Sequence, residues 1–156
     1  MNDPNALSIR LATREDAETL AAFNRAMAWE TEHHVMDEHA SIAGVNGLFA
    51  APHYGFYLVA ESAGQVVGSL LVTFEWSDWR NGLVWWIQSV YVQPQWRRQG
   101  VYRKLYQQVK QLAAAQGGVR GFRLYVEKNN HAAQRTYTEL GMREAEYLLF
   151  QEMMDG

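Results

Sequence analysis

The sequence contains no cysteine. This absence excludes disulfide bonds, thiolate zinc sites and cysteine nucleophiles. No apolar stretch reaches the roughly 18 residues that a membrane-spanning helix needs, and residues 1–5 lack the basic start and apolar run of a signal peptide. We therefore expect a cytoplasmic protein without a membrane partner.

The composition is that of a folded domain. Hydrophobic residues make up 48% of the 156 residues and aromatic residues 13%, which is unlike a disordered chain. A chain of this length buries roughly 68–70% of its surface on folding, enough for a core without covalent staples. We expect one domain spanning residues 1–156.

Charge is low overall but unevenly distributed. The formal net charge of −3 argues against a general nucleic-acid binder. Residues 1–62 hold nine acids and three bases, whereas residues 97–128 hold eight bases and one acid. This split would suit one anionic and one cationic ligand, but two solvated helical faces of different composition explain it equally well.

Apolar periodicity and turn residues predict an α+β domain with a mixed, mostly antiparallel sheet and about four helices. The expected strands cover 8–12, 55–61, 65–76, 83–92, 122–127 and 142–152, and the expected helices 13 to about 29, 37–50, 100–116 and 132–140. Ser62-Ala63-Gly64 suits a hairpin turn, and Asn81-Gly82 suits a two-residue turn because both residues tolerate positive φ.

The segment between strand 83–92 and helix 100–116 has the composition of an anion site. Unpaired N–H groups at a helix start carry partial positive charge and bind phosphate oxygens. Gly100 lets a ligand approach the backbone, while Arg97 and Arg98 offer charge-assisted hydrogen bonds. An ordinary strand-to-helix turn with a surface arginine pair is the alternative. The segment is neither a Walker loop nor a dinucleotide-binding turn.

This segment resembles the main motif of the GNAT superfamily of acyl-CoA-dependent N-acyltransferases. The family pattern is Gln/Arg-x-x-Gly-x-Gly/Ala between a central strand and a helix. Arg97 and Gly100 match the first two fixed positions, and Tyr102 stands where the family has a small residue.

A second family pattern follows about 30 residues later. It is an asparagine followed at fixed spacing by alanine, tyrosine and Gly-Phe. Asn130, Tyr137 and Gly141 match it, with Met142 in place of phenylalanine. Together with the predicted order of elements, the two motifs extend the resemblance over nearly the whole chain.

The resemblance implies a sheet splayed between strands 83–92 and 122–127, with acetyl-CoA in the opening as co-substrate. The implied cofactor-binding residues are Val90, Tyr91, Val92, Arg97, Arg98, Gln99, Gly100, Val101, Tyr102 and Asn130. The strand residues would pair with the pantetheine amides as an added strand would, and the others would hold the diphosphate and the cofactor arm. Asn130 also suits the N-cap of the following helix.

The resemblance also implies that Tyr137 protonates the departing thiolate, and that a strand amide near Val90 polarises the carbonyl. Glu75 is a candidate general base, because a two-residue turn at Asn81-Gly82 would place it opposite Gln88. Glu30 and Glu32 are alternative bases, and bulk water is another.

The acceptor is expected to be an amine, either a small molecule or a peptide. Glu30, Glu32 and Trp79 suit a cationic amine through carboxylate and cation–π contacts. His33, His34 and His39 follow no metal-ligand spacing, so no metal is expected.

Several alternatives stay open at this stage. A non-catalytic acyl-CoA-binding or regulatory module would retain the fold without turnover. An enzyme acting on aminoacyl-tRNA would need a broad basic surface, which a net charge of −3 does not supply. Protein N-terminal or lysine acceptors and a homodimer are compatible with the sequence.

Overall fold

The computed structural model describes residues 6–155. Residues 1–5, on which the expectation about a signal peptide rests, lie outside the described residues. The described chain forms two compact units. The first extends to Tyr125 and the second begins at Val126.

The first unit contains one five-stranded sheet in the order β1-β2-β3-β4-β5. Its strands are β1 (Ser8–Leu11), β2 (Gly55–Ser62), β3 (Gln65–Ser77), β4 (Gly82–Val92) and β5 (Val119–Arg123). The first four strands pair antiparallel, and β5 pairs parallel to β4. The predicted mixed, mostly antiparallel α+β architecture is confirmed.

Three helices cover the sheet of the first unit: α1 (Ala17–Glu32), α2 (Glu38–Ala50) and α3 (Val101–Gln116). Side chains of α1 and α2 pack on Tyr57 and Val59 of β2. Successive strand residues face opposite sides of a sheet, so Phe56 faces away from α1 and α2. Its ring belongs to an aromatic cluster that includes Trp85, Phe122 and Tyr106 of α3.

The pairing of β4 with β5 covers only the first part of β4. It runs from Leu83–Val119 to Trp86–Arg123, and residues 87–92 have no partner on that edge within residues 6–155. The predicted opening between the two strands is therefore present. The predicted bounds 122–127 were wrong, because the strand begins just after Gly118, whose carbonyl accepts from the Leu83 N–H at 2.9 Å.

The predicted two-residue turn at Asn81-Gly82 was also wrong. Ser77 pairs with Gly82, so the loop comprises the four residues 78–81. Asn81 does have positive φ, at 47°. Gly82, however, already belongs to β4, where a Cβ would lie 2.6 Å from the Gly118 carbonyl oxygen. Close approach of the next strand, rather than a turn, requires this glycine.

The second unit contains α4 (His131–Glu139), which ends before Gly141 with φ of 99°. The predicted last strand at 142–152 is not present among residues 126–155, which contain α4 as their regular element. The apolar run from Tyr147 to Phe150 is exposed by 65–87%. Apolar composition alone favoured a strand there, but a strand also requires a partner for its backbone groups.

Candidate active site

A β-bulge near the end of β4 reverses the faces of the strand. Leu71 pairs with Gln88 and Ser69 with Tyr91, so two residues of β4 oppose the single residue Leu70. Ser89, the first of the two, adopts a left-handed conformation with φ of 51°. Beyond the bulge the alternation is shifted by one. Tyr91 consequently turns toward α1, where its ring lies 5.0 Å from that of Phe23.

The bulge also determines which amides point into the opening. The Gln93 N–H donates to the Val67 carbonyl at 2.9 Å, on the β3 side. Backbone groups alternate in direction along a strand, so the N–H groups of Val90 and Val92 point to the other edge. That edge is the one left without a strand partner in residues 6–155.

A cationic loop leads from this edge to the start of α3. Arg98 and Gly100 have positive φ, at 62° and 79°, and successive turns of this kind direct backbone N–H groups into one concavity. The helix begins at Val101, so its first N–H groups face the same place. A Cβ on Gly100 would meet no atom within 4 Å. Arg98 and Arg103 are both exposed there.

Arg97 contacts two other elements. Its Nε donates to the Val92 carbonyl and its Nη2 to Glu30 of α1, both at 2.8 Å. The Tyr91 hydroxyl donates to the second Glu30 oxygen at 2.7 Å. Burial alone would raise the pKa of Glu30, but these two donors outweigh it and hold the pKa below its usual value. From the sequence, Arg97 was assigned to the cofactor and Glu30 to the acceptor amine. In the structure these two side chains form an ion pair with each other.

Tyr102 occupies the motif position where the family has a small residue. Its ring stacks on that of Tyr106, one turn further along α3, with centroids 6.0 Å apart and planes within 5°. The ring therefore lies along the surface of α3.

Glu75 lies at the inner end of the opening, in a different register from the expected one. It pairs with Val84 rather than Gln88, since the preceding loop is four residues long. The Trp86 indole N–H donates to Glu75 Oε1 at 2.6 Å. Arg123 Nη1 lies 3.0 Å from both carboxylate oxygens. The indole donor and then the guanidinium keep the pKa of Glu75 below its usual value, against the effect of burial.

Sequence reasoning missed Arg123 and did not connect Trp86 with Glu75. They lie beside a second polar pair, in which the Gln88 amide donates to the Thr73 hydroxyl at 2.6 Å. The sequence signal that could have revealed this polar group was the occurrence of polar residues at alternate positions of otherwise apolar strands. Their association depends on register across three strands, which local patterns do not determine.

The other expected acceptor residues lie apart from this group. Glu32 is exposed in the last turn of α1, and Trp79 is 88% exposed on the 78–81 loop. Within residues 6–155, no hydrogen bond or ion pair joins either of them to Glu75.

The second unit holds the two remaining motif residues. The Asn130 side chain accepts from the Ala133 N–H at 3.2 Å, so it caps α4 as expected. Tyr137 is a partly exposed residue of the same helix, and burial raises the pKa of its hydroxyl.

Two searches of the described residues gave negative findings. No group of three or more His, Asp or Glu side chains in residues 6–155 could hold a metal ion. None of the helices in that range is both long and apolar enough to cross a membrane.

Comparison with known proteins gives consistent results. No curated protein sequence matches the chain significantly. A possible acetyltransferase from Clostridium difficile 630 is 38% identical, covers 97% of this chain and 99% of its own, and superposes with a TM-score of 0.88.

Two more distant structures have the same fold. An aminoglycoside N-acetyltransferase in complex with CoA is 19% identical, with 94% of each chain covered and a TM-score of 0.78. A predicted acetyltransferase from Clostridium acetobutylicum, solved with acetyl-CoA, is 17% identical, covers 94% of this chain and 96% of its own, and has a TM-score of 0.78. The model of the acetyltransferase (GNAT) family matches residues 12–142. The chain therefore belongs to the GNAT acetyltransferase family.

Proposed function

We propose that this protein is an N-acetyltransferase that moves an acetyl group from acetyl-CoA to the amine of a small acceptor. The observation that carries the proposal is the edge of β4 over residues 87–92, which has no strand partner within residues 6–155 and leads into residues 97–100 and the N-terminus of α3. A strand edge followed by an anion-binding helix start suits a ligand with amide groups and a diphosphate.

The cofactor would be held mainly by backbone groups. Val90 and Val92 offer amides to the pantetheine arm, with Tyr91 between them. The N–H groups from Gln99 to Tyr102, with the side chains of Arg97 and Arg98, would hold the diphosphate. The Asn130 side chain would form a hydrogen bond with the pantetheine arm in addition to capping α4.

Tyr137 is the proposed general acid. In direct transfer a bond forms between the amine nitrogen and the acyl carbon, and the bond from that carbon to sulfur breaks. The Tyr137 hydroxyl gives its proton to the departing sulfur, and a backbone amide near Val90 stabilises the carbonyl oxygen. Burial raises the pKa of this hydroxyl above its ordinary value, so the phenol carries its proton at neutral pH.

Glu75 is the proposed acceptor of the amine proton, directly or through water. Its lowered pKa means that it is ionised at neutral pH but binds a proton weakly. It would therefore pass the proton on to solvent rather than retain it. Glu30 is held by Arg97 and Tyr91, which leaves Glu32 and Trp79 as outer contacts for the acceptor.

The test is release of free thiol from acetyl-CoA with a panel of amines. We expect the Tyr137→Phe variant to bind acetyl-CoA normally but to turn over at least about tenfold more slowly, since a positioned general acid contributes roughly 10²–10⁴-fold. Tyr147→Phe, which alters an exposed tyrosine of the same unit, serves as the control.

Unchanged turnover in Tyr137→Phe would remove this residue from the mechanism. Tight acetyl-CoA binding without thiol release for any amine would instead favour a non-catalytic acyl-CoA-binding module. The cytoplasmic location expected from the sequence remains a prediction, and a homodimer stays compatible with the sequence.

A further inference from the structure

Glu75, Trp86 and Arg123, here called the fork cluster, lie where β4 and β5 separate. Trp86–Arg123 is the last residue pair between the two strands, and Glu75 contacts both side chains from β3. A thioester carried along the open edge of β4, with its carbonyl at the amide near Val90, would present its acyl carbon to an acceptor lying between Val90 and this point. The cluster is therefore placed to contact the acceptor.

The cluster lies on the α1 and α2 face of the sheet. Tyr57 packs against these helices and pairs with Leu71. Thr73 faces the same way two residues later, and it pairs with Trp86. The helices cover the β2 part of this face. They leave the side chains of Glu75 and Arg123 exposed by 38% and 36%.

Structural need does not explain this ion pair well. Half-exposed ion pairs contribute little to folding stability, and the opposite face already holds the aromatic core around Trp85. Trp86 and Tyr125 add aromatic surface beside the charges, with ring centroids 6.2 Å apart. Exposed opposite charges beside aromatic rings suit recognition of a small polar molecule.

Both charged groups retain hydrogen-bonding capacity. Arg123 uses only Nη1 for Glu75, and its Nε and Nη2 have no hydrogen-bond partner within residues 6–155. Among the described residues Glu75 Oε2 accepts from Arg123 alone, although a carboxylate oxygen accommodates two donors. The cluster can therefore receive one cationic and one anionic group side by side.

We propose that the acceptor carries its amine and a carboxylate on one small molecule, as an amino acid does. This inference rests on the proposed function and names the acceptor class. Glu75 would receive the ammonium form of the amine on its Oε2 oxygen. Arg123 would hold the carboxylate through its unused nitrogens. A polycationic acceptor would need the Glu75 carboxylate, but the Arg123 guanidinium lies beside it. Repulsion between the guanidinium and the acceptor's further positive charges disfavours binding of such an acceptor.

The first experiment needs no variant. Titration calorimetry measures the binding of common L-amino acids and of the corresponding amino acid amides to the CoA-saturated protein, and thiol release gives their kcat and KM. We expect at least one amino acid to bind about tenfold or more tightly than its amide, as loss of a charge-assisted contact implies. Equal affinity within every pair, or tighter binding of the amides, would overturn the proposal.

The second experiment replaces the carboxylate-binding group. Arg123→Gln should raise KM for the amino acid about tenfold without raising KM for its amide, and so abolish the discrimination. Arg120→Gln is the matched control, because Arg120 lies on the same strand and, within residues 6–155, its side chain donates to the backbone carbonyls of Arg80 and Asn81 rather than to Glu75. If the Arg123→Gln variant unfolds at the same temperature as the wild type and still prefers the amino acid to its amide, the role of Arg123 is refuted.

The outcomes separate this inference from the proposed function. Thiol release with simple amines but without preference for carboxylates would refute the acceptor class and leave the acetyltransferase proposal standing. Preferential binding of amino acids without any thiol release would support the acceptor class and contradict the enzyme assignment.

Discussion

The buried carboxylate of Asp16 illustrates how one side chain can fix the entry to a helix. Arg10 of β1 donates to both Asp16 oxygens, at 2.8 and 2.9 Å, and the Thr13 N–H adds a third donor at 2.8 Å. Arg10 also contacts Glu61 of β2 at 2.8 Å. These contacts join the first two strands to the start of α1. The donors, Arg10 above all, lower the pKa of Asp16 despite its burial.

We predict that Asp16→Asn destabilises the protein by about 2 kcal/mol at neutral pH, as expected for hydrogen bonds to a charged group. A carboxyl whose pKa is lowered in the folded state stabilises the fold above its unfolded pKa, near 3.8. That contribution disappears as the pH falls through the lower folded value. The difference between wild type and variant should therefore narrow below about pH 3.8 in urea denaturation.

Glu15→Gln is the control for this prediction, because Glu15 is an exposed acid in the same turn. It should change stability little at any pH. A gap between Asp16→Asn and wild type that stays constant down to strongly acidic pH would contradict the assigned role of the Asp16 charge.

At the scale of elements, α3 offers a comparison between its two ends. Gly100 precedes its first residue and Gly117 follows its last, with φ of 79° and 77°. A Cβ at either position would meet nothing within 4 Å. Both positions therefore favour glycine for the same conformational reason, the positive φ. Only Gly100 lies at the proposed diphosphate site.

We predict that Gly100→Ala and Gly117→Ala each cost about 1 kcal/mol of stability, because alanine disfavours positive φ. Only Gly100→Ala should also raise KM for acetyl-CoA, since it displaces the N–H groups at the helix start. Thermal unfolding and thiol-release kinetics check the two parts. An equal rise of KM in both variants would indicate a general loss of order rather than a local binding effect.

Local patterns predicted the elements better than their connections. The motifs around Gly100 and Asn130 were recognisable because cap positions and positive φ restrict residue choice. The left-handed Ser89 had no such indication, since serine carries no preference for a bulge in a strand. Asn81-Gly82 matched a common turn, yet the loop length was set by how closely β5 approaches Gly82. The contact of Glu75 with Arg123 followed from that register.

At the scale of the whole molecule, a ligand that binds only the folded chain stabilises it by mass action. We predict that free CoA at about 100 times its dissociation constant adds about 2.7 kcal/mol to the free energy of unfolding. For a chain of this size, that raises Tm by about 5–10 °C. Pantetheine, which lacks the diphosphate, should give a much smaller shift at equal concentration. Equal shifts from the two compounds, measured by calorimetry, would contradict a diphosphate site at the start of α3.

The bulge at Ser89 also limits how the strand could change. Side chains alternate with a period of two, so deleting one residue there would rotate every later position of β4 by half a turn. Tyr91 would leave Phe23 and Glu30 and enter the side occupied by α3, where Gly68 lies so close to Val101 that a Cβ would already touch it at 3.0 Å. The amides of Val90 and Val92 would meanwhile be exchanged for those of their neighbours. A deletion in this part of β4 is therefore tolerated less well than a substitution.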